Sequence, residues 1–237
     1  MSRFRIFHFL TFLLLPAVAL AAKINITPVR LELSGQHPYS VIQLTNVGSE
    51  PVTFQARVFS WGFKEENEDL SATEAVILNP PLVTIAPGTQ QFIRIGLRKP
   101  NATNSELTYR LILEELPGKQ LEEGTAIRTL LRISIPVFAK SRTKATPKVV
   151  WSVSRKSDGK LRLRAVNMGS AHIQIRSLKV TDAHAATLHL TTTIPVYLLQ
   201  TQSHEWPLDG FEKVTDVQLE TTSDAGDERT VVKTGTN

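Results

Sequence analysis

The chain contains no cysteine, so it cannot form disulfides, use a thiolate nucleophile or bind a metal through cysteine. Each domain must be held by its apolar core alone, which suits domains near about 100 residues. The sequence also lacks a Gly-x-Ser-x-Gly elbow and a glycine-rich phosphate loop. No nucleophile with a neighbouring base is apparent. An enzyme, such as a hydrolase on a β scaffold, is therefore not expected, nor is a cofactor or a small-molecule substrate.

The chain also has no large excess of charge of one sign: it has 27 basic and 22 acidic residues, and its formal net charge is +5. The basic residues are spread along the chain, which is not the pattern of a nucleic-acid-binding surface. The densest acidic run is KEENED at 64–69. It has no glycine at calcium-ligand spacing, so it predicts a solvated loop and no metal site.

The longest apolar run lies at the N-terminus. Arg3 and Arg5 precede the apolar segment 9–15, Pro16 ends it, and 19–21 reads Ala-Leu-Ala. This order is typical of a cleaved secretory signal, and the apolar run is too short for a helix that spans about 30 Å of hydrocarbon. The sequence therefore predicts export from the cytoplasm, with a signal peptide over 1–21. The alternative is a retained membrane anchor.

Beyond residue 22, short alternating runs of apolar and polar residues are separated by turn residues at intervals of roughly ten. This spacing indicates an all-β sandwich or barrel. No long stretch has a helical period. Strands are predicted at 24–33, 40–44, 52–61, 92–97, 109–116, 125–138, 148–151, 161–166, 172–180, 193–198 and 214–219. The polar tail after Thr221 either forms an edge strand at 230–233 or frays.

The predicted strand 125–138 is the most regular and, at ~3.3 Å per residue, much longer than usual. Its apolar face carries Ile127, Thr129, Leu131, Ile133, Ile135 and Val137. The strand closes its domain and can therefore lie at a sheet edge. Proteins normally protect exposed sheet edges from pairing with other chains. An unprotected apolar edge strand therefore indicates a partner that pairs with it. The basic, polar segment 139–147 then predicts a linker between domains at 22–142 and 143–237.

Several segments, in this order and after a signal peptide, resemble the periplasmic pilus chaperones, the PapD-like proteins of the chaperone–usher pathway. They are ITPVRLELSG at 26–35, LTNVGSEPV at 44–52, NPPLVTIAPGTQQFIRI at 79–95, YRLILEELP at 109–117, ISIPVFAK at 133–140 and LRLRAVNMGSAHIQIRSL at 161–178. The Ile-Pro-Val-Phe sequence is similar to that of the archaic branch. The resemblance implies two immunoglobulin-like β-sandwich domains in an L-shaped or boomerang arrangement.

The resemblance also implies a function. Such a chaperone binds pilus subunits in the periplasm by donor-strand complementation and delivers them to an outer-membrane usher, with no cofactor and no metal. The donor residues implied here are Ile127, Thr129, Leu131, Ile133 and Ile135. A free chaperone of this kind can also self-associate by capping its own edge strand.

The family anchors the subunit's C-terminal carboxylate with two basic residues in the cleft between the domains. Arg30 matches the first. The second is usually a lysine on the lending strand, where this sequence has Pro136. Arg110 is the expected replacement because its strand precedes the lending strand, and Arg94 is the weaker candidate.

The main alternative is a pilus subunit or adhesin of related immunoglobulin-like fold. A subunit should carry a free alternating N-terminal extension that it donates to its neighbour. Here the segment 24–33 continues directly into the domain pattern, and a second domain follows. These features favour the chaperone.

Overall fold

The computed structural model describes residues 24–64, 67–118, 129–182, 195–209 and 214–235. Within these ranges the chain forms seventeen β-strands and no helix, which confirms the all-β class. The predicted signal peptide lies outside the described residues. In the described part of the chain, no helix is long and apolar enough to cross a membrane.

The strands of the first half are β1 (Ile24–Thr27), β2 (Leu31–Leu33), β3 (Tyr39–Asn46), β4 (Val52–Lys64), β5 (Asn67–Ala72), β6 (Val76–Asn79), β7 (Leu82–Ile85), β8 (Gln90–Leu97), β9 (Leu107–Leu116) and β10 (Arg132–Ala139). One sheet has the order β1-β3-β8-β6. The other has the order β2-β10-β9-β4-β5, with β7 paired to β4. The alternating apolar residues of the two sheets pack face to face around fully buried Phe54, Leu111 and Ile93.

The strands of the second half are β11 (Val149–Arg155), β12 (Leu161–Asn167), β13 (Ile173–Asp182), β14 (Val196–Leu198), β15 (Ser203–Leu208), β16 (Asp216–Ser223) and β17 (Gly226–Gly235). They run in the order β14-β13-β16-β17-β11-β12-β15 around a separate core that includes Leu163, Val180 and Leu219. Two immunoglobulin-like sandwiches thus follow one another, as the sequence predicts. Among the described residues, no strand of one half pairs with a strand of the other.

Both halves use the same buried asparagine turn. In the first, the Asn46 side chain donates to the Glu50 and Ile85 carbonyls and accepts from the Gly48 amide. In the second, Asn167 donates to the Ala171 and Leu198 carbonyls and accepts from the Gly169 amide. The Asn-x-Gly sequences that mark turns in the sequence therefore also satisfy buried backbone groups.

Several predicted elements need correction. The predicted strand 24–33 is two strands in different sheets, because Pro28 has no N–H with which to continue a ladder. The predicted loop at 64–69 is wrong over its described residues, since β5 begins at Asn67. The short strands β6, β7 and β15 have no counterpart in the prediction. Of the two alternatives for the tail after Thr221, its described residues form a strand and do not fray, because β17 pairs with β16 from Gly226 to Lys233. It is not an edge strand, since β17 also pairs with β11 at Thr234 and Gly235.

The two sandwiches meet through an apolar cluster. Trp61 and Phe138 from the first sandwich pack with Leu199 and Tyr197 from the second. The rings of Trp61 and Tyr197 meet edge to face, with centroids 5.4 Å apart. This cluster forms the floor of the cleft between the two sandwiches.

Candidate functional site

Strand β10 is paired unequally on its two sides. On one side it pairs with β9 along its whole length, from Arg132 opposite Glu114 to Ala139 opposite Leu107. On the other side, only Val137–Ala139 pair with β2 in the described part of the chain. The segment Arg132–Ile135 is therefore an open sheet edge among the described residues.

The ladder geometry decides which backbone groups face the open edge. The Glu115 amide donates to the Leu131 carbonyl at 2.8 Å, so the odd-numbered residues of β10 point their backbone groups toward β9. The even-numbered residues point the other way, as the bond from the Lys140 amide to the Leu33 carbonyl shows. Arg132 and Ser134 therefore each present an N–H and a C=O to the open edge.

Pro136 falls on the same side as those two residues, so its missing N–H removes no bond to β9. It sits one residue before the pairing with β2 begins. This placement agrees with the general restriction of proline to strand edges and ends.

Three of the predicted donor residues, Leu131, Ile133 and Ile135, lie on the inner face of the sheet. Leu131 and Ile133 are partly buried against the first core, and Ile135 is only 2% exposed within it. Thr129 is exposed and precedes the strand. Ile127 lies outside the described residues.

The continuous strand predicted over 125–138 needs correction where the chain is described. The strand begins at Arg132, and residues 129–131 are in no strand. The pairing stops because β9 ends at Leu116, and Pro117 follows with no N–H to extend the ladder. Leu131 keeps one backbone bond, to Glu115, at the end of the ladder.

The two arginines predicted as the anchor flank Pro136 on one face of the sheet. Arg110 of β9 is directly opposite Pro136. Continuing the parallel register of β2 back by one residue places Arg30 on the other side of Pro136. Neighbouring strands are about 4.8 Å apart, so the two Cα atoms are separated by roughly two strand spacings. Arg94 is on β8 in the other sheet, exposed and opposite Val41, so it is not part of this group.

Arg110 is held by an aromatic ring and a carboxylate. Its guanidinium carbon lies 3.6 Å from the centroid of the Trp61 ring, and its Nε donates to Glu68 at 3.1 Å. Burial lowers the pKa of Arg110 from its usual value, but a guanidinium remains charged at physiological pH. Glu68 belongs to the acidic run that the sequence suggests is only a solvated loop; in the fold it orients a cleft residue.

Arg30 contacts two carboxylates from different sandwiches. Its Nη1 donates to Asp224 at 2.7 Å and its Nη2 to Glu32 at 3.1 Å. The guanidinium lies over the ring of Phe138, 5.0 Å from the centroid. Its Nε is buried without a hydrogen-bond partner. Asp224 lies in the turn between β16 and β17, so the second sandwich contributes to this group.

A second ionic contact joins the two sandwiches beside Arg30. His172 precedes β13, and its ring stacks on Phe138 at 3.5 Å and 3°. Its Nδ1 lies 2.5 Å from Glu106 of the first sandwich, and its Nε2 lies 3.4 Å from Asp224. The chain of contacts Arg30–Asp224–His172–Glu106 thus crosses the domain interface twice. Among the described residues, no His, Asp and Glu side chains are grouped so that they hold a metal ion.

These contacts shift the protonation of their members. Burial disfavours the charged form of both His172 and Asp224. The neighbouring carboxylates Asp224 and Glu106 outweigh burial and raise the pKa of His172. For Asp224, burial is outweighed by His172, the Gln174 amide and Arg30, which hold its pKa well below the usual range. Both groups are therefore charged over a wider pH range than usual.

A pH dependence of stability follows. The stabilisation that charged His172 gives the folded protein is fully present below its ordinary pKa of 6.5 and is lost as pH rises through its raised pKa. That of Asp224 is present above 3.8 and is lost only in stronger acid. We expect the thermal unfolding midpoint to fall between about pH 5.5 and about pH 8. His172→Gln should lie below the wild type at the lower pH and converge with it at the higher. Parallel curves for the two proteins would contradict this assignment.

Sequence reasoning misses the second-sandwich side of this site. Tyr197 and Asp224 lie in segments with no distinguishing motif, and His172 lies in a segment whose pattern predicts only a turn and a strand. All three reach the cleft through the packing of one sandwich on the other. The position of Arg110 beside Pro136 is within reach of sequence reasoning, because consecutive strands tend to pair.

Comparison with known proteins places the chain among pilus-assembly proteins. Residues 23–142 match the family described as "Pili and flagellar-assembly chaperone, PapD N-terminal domain". No curated protein sequence matches the chain.

Three solved structures share the fold. A chain of the CsuC–CsuE chaperone–tip adhesion subunit complex from the archaic Csu pili of Acinetobacter baumannii is 21% identical, with TM-score 0.67, over 91% of this chain and 100% of that one. A chain of the Salmonella enterica complex of SafA pilin with SafB chaperone is 14% identical, with TM-score 0.65, over 91% and 98%. The CupB2 chaperone of Pseudomonas aeruginosa is 14% identical, with TM-score 0.60, over 89% and 100%.

Proposed function

The chain belongs to the PapD-like family of pili and flagellar-assembly chaperones, and we propose that it binds pilus subunits by lending them the open edge of β10. The observation that carries the proposal is the unequal pairing of β10. A partner strand laid along Arg132–Ile135 would meet the N–H and C=O groups of Arg132 and Ser134, four groups that pair with no other described strand. Addition of a strand to an exposed edge is a general mode of peptide recognition.

The side chains of this edge suit a partner that lacks part of its own core. Leu131 and Ile133 are only partly buried, at the end of the strand away from β2. Each apolar side chain that a subunit groove buries completely contributes about 1.5–3 kcal/mol. We propose the same donor role for Thr129 and for Ile127. Ile135 stays in the chain's own core, where it fixes the strand that carries the donor residues.

Arg30 and Arg110 define one end of the proposed binding surface. Both guanidiniums lie on the cleft side of the sheet, beside the aromatic rings of Phe138 and Trp61. A subunit's C-terminal carboxylate bound between them would receive charge-assisted hydrogen bonds, each worth about 1.5–3 kcal/mol. Anchoring the chain end fixes which subunit residues face Leu131 and Ile133. This recognition is reversible and needs neither ATP nor a cofactor.

The setting of this activity is the periplasm, and the final step is transfer of the subunit to an outer-membrane usher. The N-terminal signal supports the first part, because subunits crossing the inner membrane meet an exported chaperone in that compartment. Family membership supports the second.

The direct test is co-expression of the tagged mature protein with a candidate pilus subunit in a bacterial periplasm. The expected result is recovery of a soluble one-to-one complex, together with aggregation or degradation of the subunit when the protein is omitted. A subunit that stays equally soluble without the protein would contradict the proposal. Light scattering on the free protein measures self-association through the same edge.

A further inference from the structure

Two of the chain's own carboxylates bond to Arg30, and they differ in burial and in their other partners. We propose that Asp224 is a positioning residue that fixes the Arg30 guanidinium, whereas Glu32 is a placeholder that the partner's C-terminal carboxylate displaces. The inference rests on the proposed anchoring role of Arg30. It makes the second sandwich part of the binding site through a residue that does not itself touch the partner.

Asp224 is a fixed partner of Arg30. Its Oδ2 accepts from Arg30 Nη1 at 2.7 Å and lies 3.4 Å from His172 Nε2. Its Oδ1 accepts from the Gln174 amide at 2.8 Å. The side chain is only 11% exposed, so removing it from Arg30 would leave a buried charge with fewer partners. An incoming carboxylate therefore does not readily take its place.

Glu32 is an exchangeable partner. Its side chain is 42% exposed, and its contact with Arg30 Nη2 at 3.1 Å is one of two ion pairs that it makes. The other is to Lys140 Nζ at 2.6 Å. Hydrogen bonding to Lys140 is the largest cause of the lowered pKa of Glu32. Glu32 can leave Arg30 without losing its main partner, and exposed pairs of this kind are weak.

Only one nitrogen of the Arg30 guanidinium is open to an incoming carboxylate. Nε is buried, Nη1 is bonded to the fixed Asp224, and Nη2 faces the exposed Glu32. A carboxylate from a partner that reaches Nη2 replaces one negative charge with another at Arg30. The released Glu32 stays beside Lys140. The two acids on one arginine therefore have opposite effects on the partner's affinity.

The test compares Asp224→Asn and Glu32→Gln in the mature, full-length protein. The probe is a synthetic peptide of roughly ten residues, the upper length of ordinary strands, with alternating apolar residues and a free C-terminal carboxylate. The same peptide with a C-terminal amide reports binding without the anchor. Asp227→Asn and Glu74→Gln make the same charge changes at exposed positions and serve as matched controls.

We expect Asp224→Asn to lower the affinity for the carboxylate peptide roughly tenfold, because a poorly placed guanidinium loses most of a charge-assisted hydrogen bond. Glu32→Gln should raise the affinity for this peptide about two- to fivefold. That range is the strength of an exposed ion pair, which here no longer competes with the peptide for Arg30. Neither change should affect the amidated peptide by more than the matched controls do. The difference between the two peptides separates anchoring from any general loss of folding.

The outcomes distinguish this inference from the function on which it rests. If Arg30→Ala leaves the preference for the carboxylate peptide unchanged, the anchoring role itself is wrong. If Arg30→Ala removes the preference but Asp224→Asn leaves it intact, only the positioning role is overturned. A loss of affinity in Glu32→Gln would overturn the exchange. That variant alters an exposed side chain, so it keeps the test decisive even if Asp224→Asn is poorly folded.

Discussion

Replacing Leu131 with aspartate is expected to abolish the complex with a pilus subunit while the protein stays folded. Leu131 lies at the open end of the ladder, partly buried against the first core. In the complex an aspartate would lose about 2 kcal/mol of apolar burial and would carry a charge into the subunit's groove. A combined loss of about 4 kcal/mol corresponds to roughly a thousandfold weaker binding.

The neighbouring residue provides a matched control. Leu130 is 42% exposed, whereas Leu131 is partly buried against the first core. Leu130→Asp therefore makes the same chemical change one residue away, and the complex should survive it. Co-purification and thermal unfolding of both variants check the result. Equal recovery of the subunit with Leu131→Asp and Leu130→Asp would rule out the assigned donor face.

Replacing Ser134 with proline should weaken the complex about 10- to 100-fold without disturbing the free protein. The Ser134 N–H points to the open edge, so its loss breaks no bond to β9. In the complex it leaves a carbonyl of the partner strand unpaired, at a cost of about 1–3 kcal/mol, and the ring obstructs close approach. Subunit affinity measured by titration gives the size of the effect.

Ser134→Ala is the control for this substitution. It removes the hydroxyl but keeps the N–H, and the side chain is exposed, so binding should match the wild type. Ile133→Pro should behave differently from both. Its N–H faces β9, and its loss should destabilise the free protein. If Ser134→Pro binds as tightly as Ser134→Ala, the edge of β10 does not pair with the partner.

Much of this account is accessible from sequence because it depends on local periodicity. Alternation assigns Leu131, Ile133 and Ile135 to one face, and the structure places them there. Periodicity does not give the ends of a strand. The ladder of β10 stops where its partner β9 ends at Leu116, and this limit is set by Pro117, the residue that follows β9.

The cleft is harder to predict because its contacts join distant parts of the chain. Arg30 and Asp224 are separated by 194 positions, and Glu106 and His172 by 66. No spacing rule connects such pairs, and each residue alone has the pattern of an ordinary surface residue. The place of Glu68 is also not predicted. Its acidic run indicates a solvated loop, whereas β5 places Glu68 beside Arg110.

Amide hydrogen exchange at β10 tests the central claim most directly. In the free protein, the Arg132 and Ser134 amides face the open edge and should exchange rapidly, whereas the Ile133 and Ile135 amides are bonded to β9 and should be protected. In the purified complex with a pilus subunit, the first two should slow by at least about a hundredfold, with little change in the others. If Arg132 and Ser134 exchange in the complex as fast as in the free protein, β10 is not the strand that the subunit receives.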